Sequence, residues 1–165
     1  MISISYIKGD ATTPIGKGNK LLIHCCNDIG SWGKGFVLAI NQRWPQVEVE
    51  YRKWHATNID AYGSGPFQLG AVQFVPVSEE IVIGNMIGQK GTRGMGNPIP
   101  IKYDAIRSCL IKVRNWIIEL GENEEPTVHC PRFGSGLAGG DWKEIEKIIQ
   151  QELCEKNISV LVYDF

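Results

Sequence analysis

Residues 20–35 read Lys20-Leu21-Leu22-Ile23-His24-Cys25-Cys26-Asn27-Asp28-Ile29-Gly30-Ser31-Trp32-Gly33-Lys34-Gly35. A near-continuous apolar run ends at an asparagine, passes through a glycine-rich loop, and then meets Phe36-Val37-Leu38-Ala39-Ile40, the start of a helical pattern. Such a run suits a strand covered on both faces, because neither face then meets solvent. A strand that turns through glycines into a helix leaves backbone N–H groups and a helix N-terminus exposed at the turn. Both attract anions.

Working outward, five more β-rich runs stand out: Ile2–Ile7, Ala71–Val77, Ile81–Gly88, Thr127–Pro131 and Ile158–Phe165. Between them lie helical patterns. Ile106, Cys109, Leu110, Val113, Trp116, Ile117 and Leu120 recur at intervals of three and four, as do Trp142, Ile145, Ile148, Ile149 and Leu153. A shorter helix follows Gly35 and is stopped by Pro45, and another spans Val47–His55. Strands interleaved with helices predict an α/β fold, with a mixed or mostly parallel sheet between helical layers. The stretches Glu122–Pro126 and Gly88–Pro100 are read as loops, the second long enough to suggest function.

The strand–glycine–helix pattern occurs twice. Pro131-Arg132-Phe133 leads through Gly134-Ser135-Gly136-Leu137 toward a helix beginning near Asp141. In open α/β sheets, ligands bind outside the carboxyl ends of the strands. Two such loops at one edge would hold a pyrophosphate with few lysines. Gly134–Gly139 also fits the G-x-G-x-x-G dinucleotide fingerprint, but only one strand remains after it, so two Rossmann halves cannot follow. No G-x-x-x-x-G-K-[S/T] phosphate loop is present.

Composition narrows the classes. With 165 residues the chain is expected to be a single domain, 1–165. Seventeen basic against eighteen acidic residues argue against a broad phosphate-neutralising surface. Nineteen glycines exceed the usual share and cluster beside apolar runs, where the backbone turns sharply or approaches something closely. No segment has the ~20 apolar residues of a membrane helix, and no secretory leader is evident, so no membrane partner is expected. Five cysteines without framework spacing fit reduced thiols and a cytoplasmic location. His24-Cys25-Cys26 and His129-Cys130 lack zinc-ligand spacing, so neither a metal nor another cofactor is expected.

Gly9-Asp10-Ala11, the run Ile23–Asn27 followed by Gly30–Gly35, and Pro131–Leu137 together resemble the macro domain family, and the likeness spans the chain. The I-H-x-C-N-x-x-G-S-W-G-x-G pattern is particularly similar to the fungal ADP-ribose 1″-phosphate phosphatase branch. The resemblance implies a three-layer α/β/α sandwich with a mixed central sheet and a crevice for ADP-ribose. Asp10, flanked by Gly9 and Ala11, would accept a hydrogen bond from the adenine amino group. Gly30, Ser31, Trp32, Gly33, Lys34 and Gly35 would wrap the distal ribose and phosphate. Gly134, Ser135, Gly136 and Leu137 would cradle the pyrophosphate, with Arg132 and Phe133 counted among the binding residues. Asn27 would meet the distal ribose hydroxyls.

Two branches match less well. The protein-deADP-ribosylating pattern N-A-A-N with G-G-G-V is replaced here by Cys25-Cys26-Asn27 and Trp32-Gly33-Lys34-Gly35. A lysine-dependent branch would need its lysine near Gly88 or Gln89, where Lys90 comes late, and an acidic residue where Ala138 stands.

His24, Asn27 and Asp141 are the candidate catalytic residues. His24 reads either as a satisfied core histidine or as a proton donor, acceptor or water positioner at the crevice floor. Asp141 begins Asp141-Trp142-Lys143-Glu144, the form of a capping box, and the alternative is a general base; the two roles compete. Trp32 is the tryptophan placed to lid the distal ribose. The expected function is a hydrolase releasing phosphate from ADP-ribose 1″-phosphate, with weak catalysis. The alternatives are a glycohydrolase acting on ADP-ribosylated protein or DNA, and a non-catalytic ADP-ribose reader.

Overall fold

The computed structural model describes residues 2–165. Its elements in chain order are β1 (Ser5–Lys8), β2 (Lys20–Asn27), α1 (Val37–Arg43), α2 (Gln46–Thr57), β3 (Val72–Pro76), β4 (Ile81–Gln89), α3 (Tyr103–Leu120), β5 (Thr127–Cys130), α4 (Trp142–Glu152) and β6 (Val160–Asp164). Short 3₁₀ turns follow α3 at Glu122–Glu124 and α4 at Cys154–Lys156. The first and last strands are shorter than their apolar runs, because pairing between them covers only Ser5–Lys8 and Leu161–Asp164.

The six strands form one sheet in the order β1-β6-β5-β2-β4-β3. Every pairing is parallel except that of β3 with β4. Connection length explains the exception. β3 and β4 are joined by a tight turn in which the Val77 N–H bonds to the Ile81 carbonyl, and so short a link permits only antiparallel neighbours. β2 and β4, both interior strands of the sheet, are largely buried, as their apolar runs require.

Alternation along β2 divides the core into two layers. Leu21 and Ile23 face α3 and α4, packing with Ile106, Leu110 and Val113 of α3 and Ile145 and Ile149 of α4. Leu22 and Cys26 face α1 and α2, with Ile40, Val47, Tyr51 and Trp54. The result is an α/β/α sandwich with a mixed sheet. Pro45 separates α1 from α2, and Asn58 ends α2 in the left-handed region at φ 58°. Among the described residues, no helix is long and apolar enough to cross a membrane.

One consequence of this order positions the site. β2 and β5 are neighbours and run in the same direction. The chain leaves β2 for α1 on one face and leaves β5 for α4 on the other. A crevice therefore opens between the two departing loops, at the switch point where α/β sheets hold ligands.

Candidate functional site

The two glycine loops meet at this rim. A Cβ added at Gly35 would lie 3.5 Å from Cδ1 of Leu137, so the loops touch across the crevice. Side chains fasten the loop after β2. The Asn27 carboxamide accepts from the N–H groups of Ile29 (3.1 Å) and Ser31 (3.0 Å), and donates to the Ser31 carbonyl (2.8 Å). The Tyr51 hydroxyl donates to the Asn27 carbonyl at 2.6 Å. Arg52 donates to the Gly30 carbonyl at 2.9 Å. Beyond Ser31, the N–H groups of Gly33, Lys34 and Gly35 make no hydrogen bond among the described residues.

Backbone geometry fastens the loop after β5. Gly140 N–H donates to the Gly134 carbonyl (2.8 Å) and Gly139 N–H to the Gly136 carbonyl (3.0 Å). Gly134 holds φ +75°, a conformation that side-chain-bearing residues rarely adopt. Gly140 lies so close beneath that a Cβ there would be 2.5 Å from the Gly134 carbonyl oxygen. The successive N–H groups of Gly134, Ser135, Gly136, Leu137 and Ala138 make no hydrogen bond among the described residues. Runs of free amides at a turn are the kind of backbone that attracts anions.

A third loop closes the mouth. The Gly91 N–H donates to the Asp28 carboxylate at 2.7 Å, and the Asn97 carboxamide donates to the carbonyls of Lys90 (2.7 Å) and Thr92 (3.1 Å). The first bond pins residues 90–97 to the loop after β2, and the Asn97 bonds brace the 90–97 loop internally. The crevice so formed has two lobes. One, of about 420 Å³, is lined by Asn27, Ser31, Lys34, Thr92 and Arg93 among others. The other, of about 290 Å³, is lined by Phe36, Arg132–Gly134, Gly136 and Ala138, with His24 beneath. Cys25, Lys34, Val37, Gln89 and Leu137 line both. The first lobe carries two cations, Lys34 and Arg93, on opposing loops and no carboxylate. A separate groove of about 500 Å³ between β1 and α4, bordered by Tyr6, Lys143 and Gln150, lies away from these loops.

His24 is 1% exposed. Its Nε2 lies 2.5 Å from Oδ1 of Asn85, and its ring packs edge-on to Trp32. Burial lowers its pKa to about 4, and the Asn85 bond opposes the shift only in part. His24 is therefore a neutral imidazole beneath the crevice. Asn27 is a latch within its loop, its carboxamide committed to three backbone partners. Asp141 caps α4 through the Lys143 N–H (3.0 Å). Its own N–H donates to the Tyr103 hydroxyl (2.8 Å), so Glu144 does not complete a capping box.

Trp32 is 4% exposed, and its indole donates to Asn41 at 3.1 Å. The lid expected of it is corrected here: the ring belongs to the core, because a loop so short can bury its large apolar side chain only by turning it inward against Tyr51. Gly9, Asp10 and Ala11 follow β1 at the same sheet edge but do not line either lobe. The Asp10 carboxylate accepts from the Thr12 N–H (2.8 Å) and hydroxyl (2.7 Å), and Arg43 of α1 lies 3.8 Å away. The Arg132 guanidinium is paired with Asp164 at 2.5 Å and lies over the rings of Tyr6 and Trp142. Lys90 is exposed and lines neither lobe.

Sequence reasoning passed over Gln89, Thr92 and Arg93. The only signal was the glycine-rich Gly88–Pro100 loop itself, which singles out the segment but not the side chains that turn inward.

No protein-family model matches the sequence. Among solved structures, a macrodomain protein from Streptomyces coelicolor is 45% identical, with 99% of each chain covered and a TM-score of 0.83. A protein of unknown function from Bacteroides thetaiotaomicron is 48% identical, with 99% of each chain covered and a TM-score of 0.89. The chain is also 26% identical to a Saccharomyces cerevisiae (strain YJM789) protein named ADP-ribose 1″-phosphate phosphatase, over 92% of this chain and 93% of that one. The chain belongs to the macrodomain family.

Proposed function

We propose that the crevice binds ADP-ribose and that the chain, acting as one macro domain over residues 1–165, releases phosphate from ADP-ribose 1″-phosphate. The observation that carries this reading is that the loops after two adjacent parallel strands each hold a run of amides, Gly134 to Ala138 and Gly33 to Gly35, without a hydrogen-bond partner among the described residues. Together they supply a diphosphate cradle without a basic surface. The name of the yeast relative agrees with it. In this reading the adenine end lies toward Asp10, and the distal ribose and its phosphate occupy the lobe between Lys34 and Arg93. Binding of the remote groups holds the phosphorus against a water; the water oxygen bonds to phosphorus as the bond to the 1″-oxygen breaks, and that oxygen takes up a proton. Lys34, Arg93 and the loop amides stabilise charge on the transferring group.

A second reading, a reader without catalysis, is favoured by one observation. His24 is buried, and the side chains of Asn27 and Asp141 are held by backbone groups, so none of the three stands free at the cavity. Lysine-dependent removal of ADP-ribose from protein or DNA has less support, since Lys90 lies outside the crevice. Incubation with ADP-ribose 1″-phosphate, and separately with ADP-ribosylated protein or DNA, separates the readings. The phosphatase releases inorganic phosphate and leaves ADP-ribose; binding with no phosphate release leaves the reader, and free ADP-ribose from a modified protein or DNA points to the glycohydrolase.

A further inference from the structure

We propose that Asp60 is a positioning residue, fixing His24 as its Nε2–H tautomer through Gln73 and Asn85. The four side chains lie in a buried row: His24 is 1% exposed, Asn85 and Gln73 are 0%, and Asp60 is 8%. Strand register builds the row, because His24 pairs with Asn85 across β2 and β4, and Asn85 pairs with Gln73 across β4 and β3. Polar groups in an otherwise apolar layer are costly unless each is satisfied, and here every one has a partner.

The direction of the row follows from its far end. The Asp60 carboxylate accepts the Gln73 amide at 2.9 Å through one oxygen and the Ser64 N–H at 3.0 Å through the other. The same Gln73 NH₂ group donates to the Glu50 carbonyl at 3.1 Å. Its two partners are acceptors only, which sets the Gln73 oxygen toward Asn85, where it accepts the Asn85 NH₂ at 3.0 Å. The Asn85 oxygen must then face His24, and at 2.5 Å it requires a proton on Nε2. The lone pair is left on Nδ1, and the Cys26 sulfur lies beside the ring, 3.9 Å from Nδ1 and 3.8 Å from Nε2. A carboxylate is needed at residue 60 because only a group that accepts on both oxygens satisfies Gln73 and Ser64 together.

The bearing of this row on chemistry rests on the crevice reading above. The tautomer itself does not, and its test needs no ligand. Long-range proton–nitrogen correlation spectra of the ¹⁵N-labelled full chain at neutral pH report the tautomer of each histidine. The wild type is expected to show His24 as a single Nε2–H form. Asp60→Asn sets an NH₂ group against either Gln73 or Ser64, and turning the Gln73 amide to relieve it sets its oxygen against the Glu50 carbonyl. Neither direction of the row is then fully satisfied, and the His24 proton is shared between Nε2 and Nδ1. Loss of the single-tautomer pattern is therefore expected, with His129, bonded separately to Thr127 and Tyr163, unchanged as an internal control. If Asp60→Asn does not fold, Gln73→Met decides, and the same loss is expected. A wild-type His24 carrying its proton on Nδ1 or on both nitrogens overturns the proposal. So does a folded Asp60→Asn, or in its place Gln73→Met, with the wild-type pattern.

Discussion

Around the loop after β2, side chains hold the backbone: Asn27 latches Ile29 and Ser31, Tyr51 holds Asn27, and Arg52 reaches in from α2. Around the loop after β5, the backbone holds itself through Gly140 to Gly134 and Gly139 to Gly136, with glycines where a side chain would collide. Both leave a run of amides unpaired at the same rim. The contrast shows that one local geometry is reachable by two kinds of sequence, and that each kind fails in its own way. The first loop is sensitive to loss of polar side chains and the second to gain of a methyl group.

The largest expected effect concerns what the two regions share. Each loop-bearing strand buries a histidine, His24 in β2 and His129 in β5, and burial lowers both pKa values to about 4. Between an ordinary histidine pKa of ~6.5 and that value, the unfolded chain takes up a proton at each site and the folded chain does not. Stability is then complete above about pH 6.5 and falls on the order of 3 kcal/mol per histidine as pH drops to about 4. Urea unfolding at pH 7, 5.5 and 4 measures the slope, and a flat profile over that interval would remove the buried neutral pair.

Gly140→Ala comes next. Its Cβ would sit 2.5 Å from the Gly134 carbonyl oxygen, so the second loop must shift, at a cost of about 3 kcal/mol. Thermal unfolding should show the loss, together with loss of ADP-ribose binding; an unchanged melting temperature contradicts the backbone-held description. Asn27→Ala should cost about 2 kcal/mol through the loop amides and carbonyl it leaves unpartnered. In the same melting experiment, Asn27→Asp should fall between, since it keeps both accepted bonds but sets a carboxylate oxygen against the Ser31 carbonyl in place of the donated bond. Ser135→Ala is the smallest case. Its hydroxyl bonds to the Arg132 carbonyl at 2.8 Å in an exposed setting, and a loss above about 1 kcal/mol would mean that side chains hold the second loop too.

The elements that sequence made legible are those whose signal is local. The apolar run of β2, the periodicity of α3, Pro45 between α1 and α2, and the two glycine loops are all written within a few residues, and the structure puts both loops at one sheet edge. What stayed hidden depends on partners far along the chain. Gln73 and Asn85 interrupt apolar strands and give no reason for it until the register sets them in line with His24. Asp60 is an ordinary loop aspartate until Gln73 is seen against it. Trp32 reads as loop until its ring is found against Tyr51, and Asn27 reads as a ligand contact until its carboxamide is found closing its own loop. Arg93 enters the site only because Asp28 draws the β4–α3 loop across the mouth.

Calorimetric titration of ADP-ribose into the full chain at neutral pH tests the central claim most directly. Two amide-lined loops at one rim predict saturable one-to-one binding in the micromolar range, about −8 kcal/mol, abolished by Gly140→Ala. No saturable heat with the wild type would contradict the claim that these loops clasp a diphosphate.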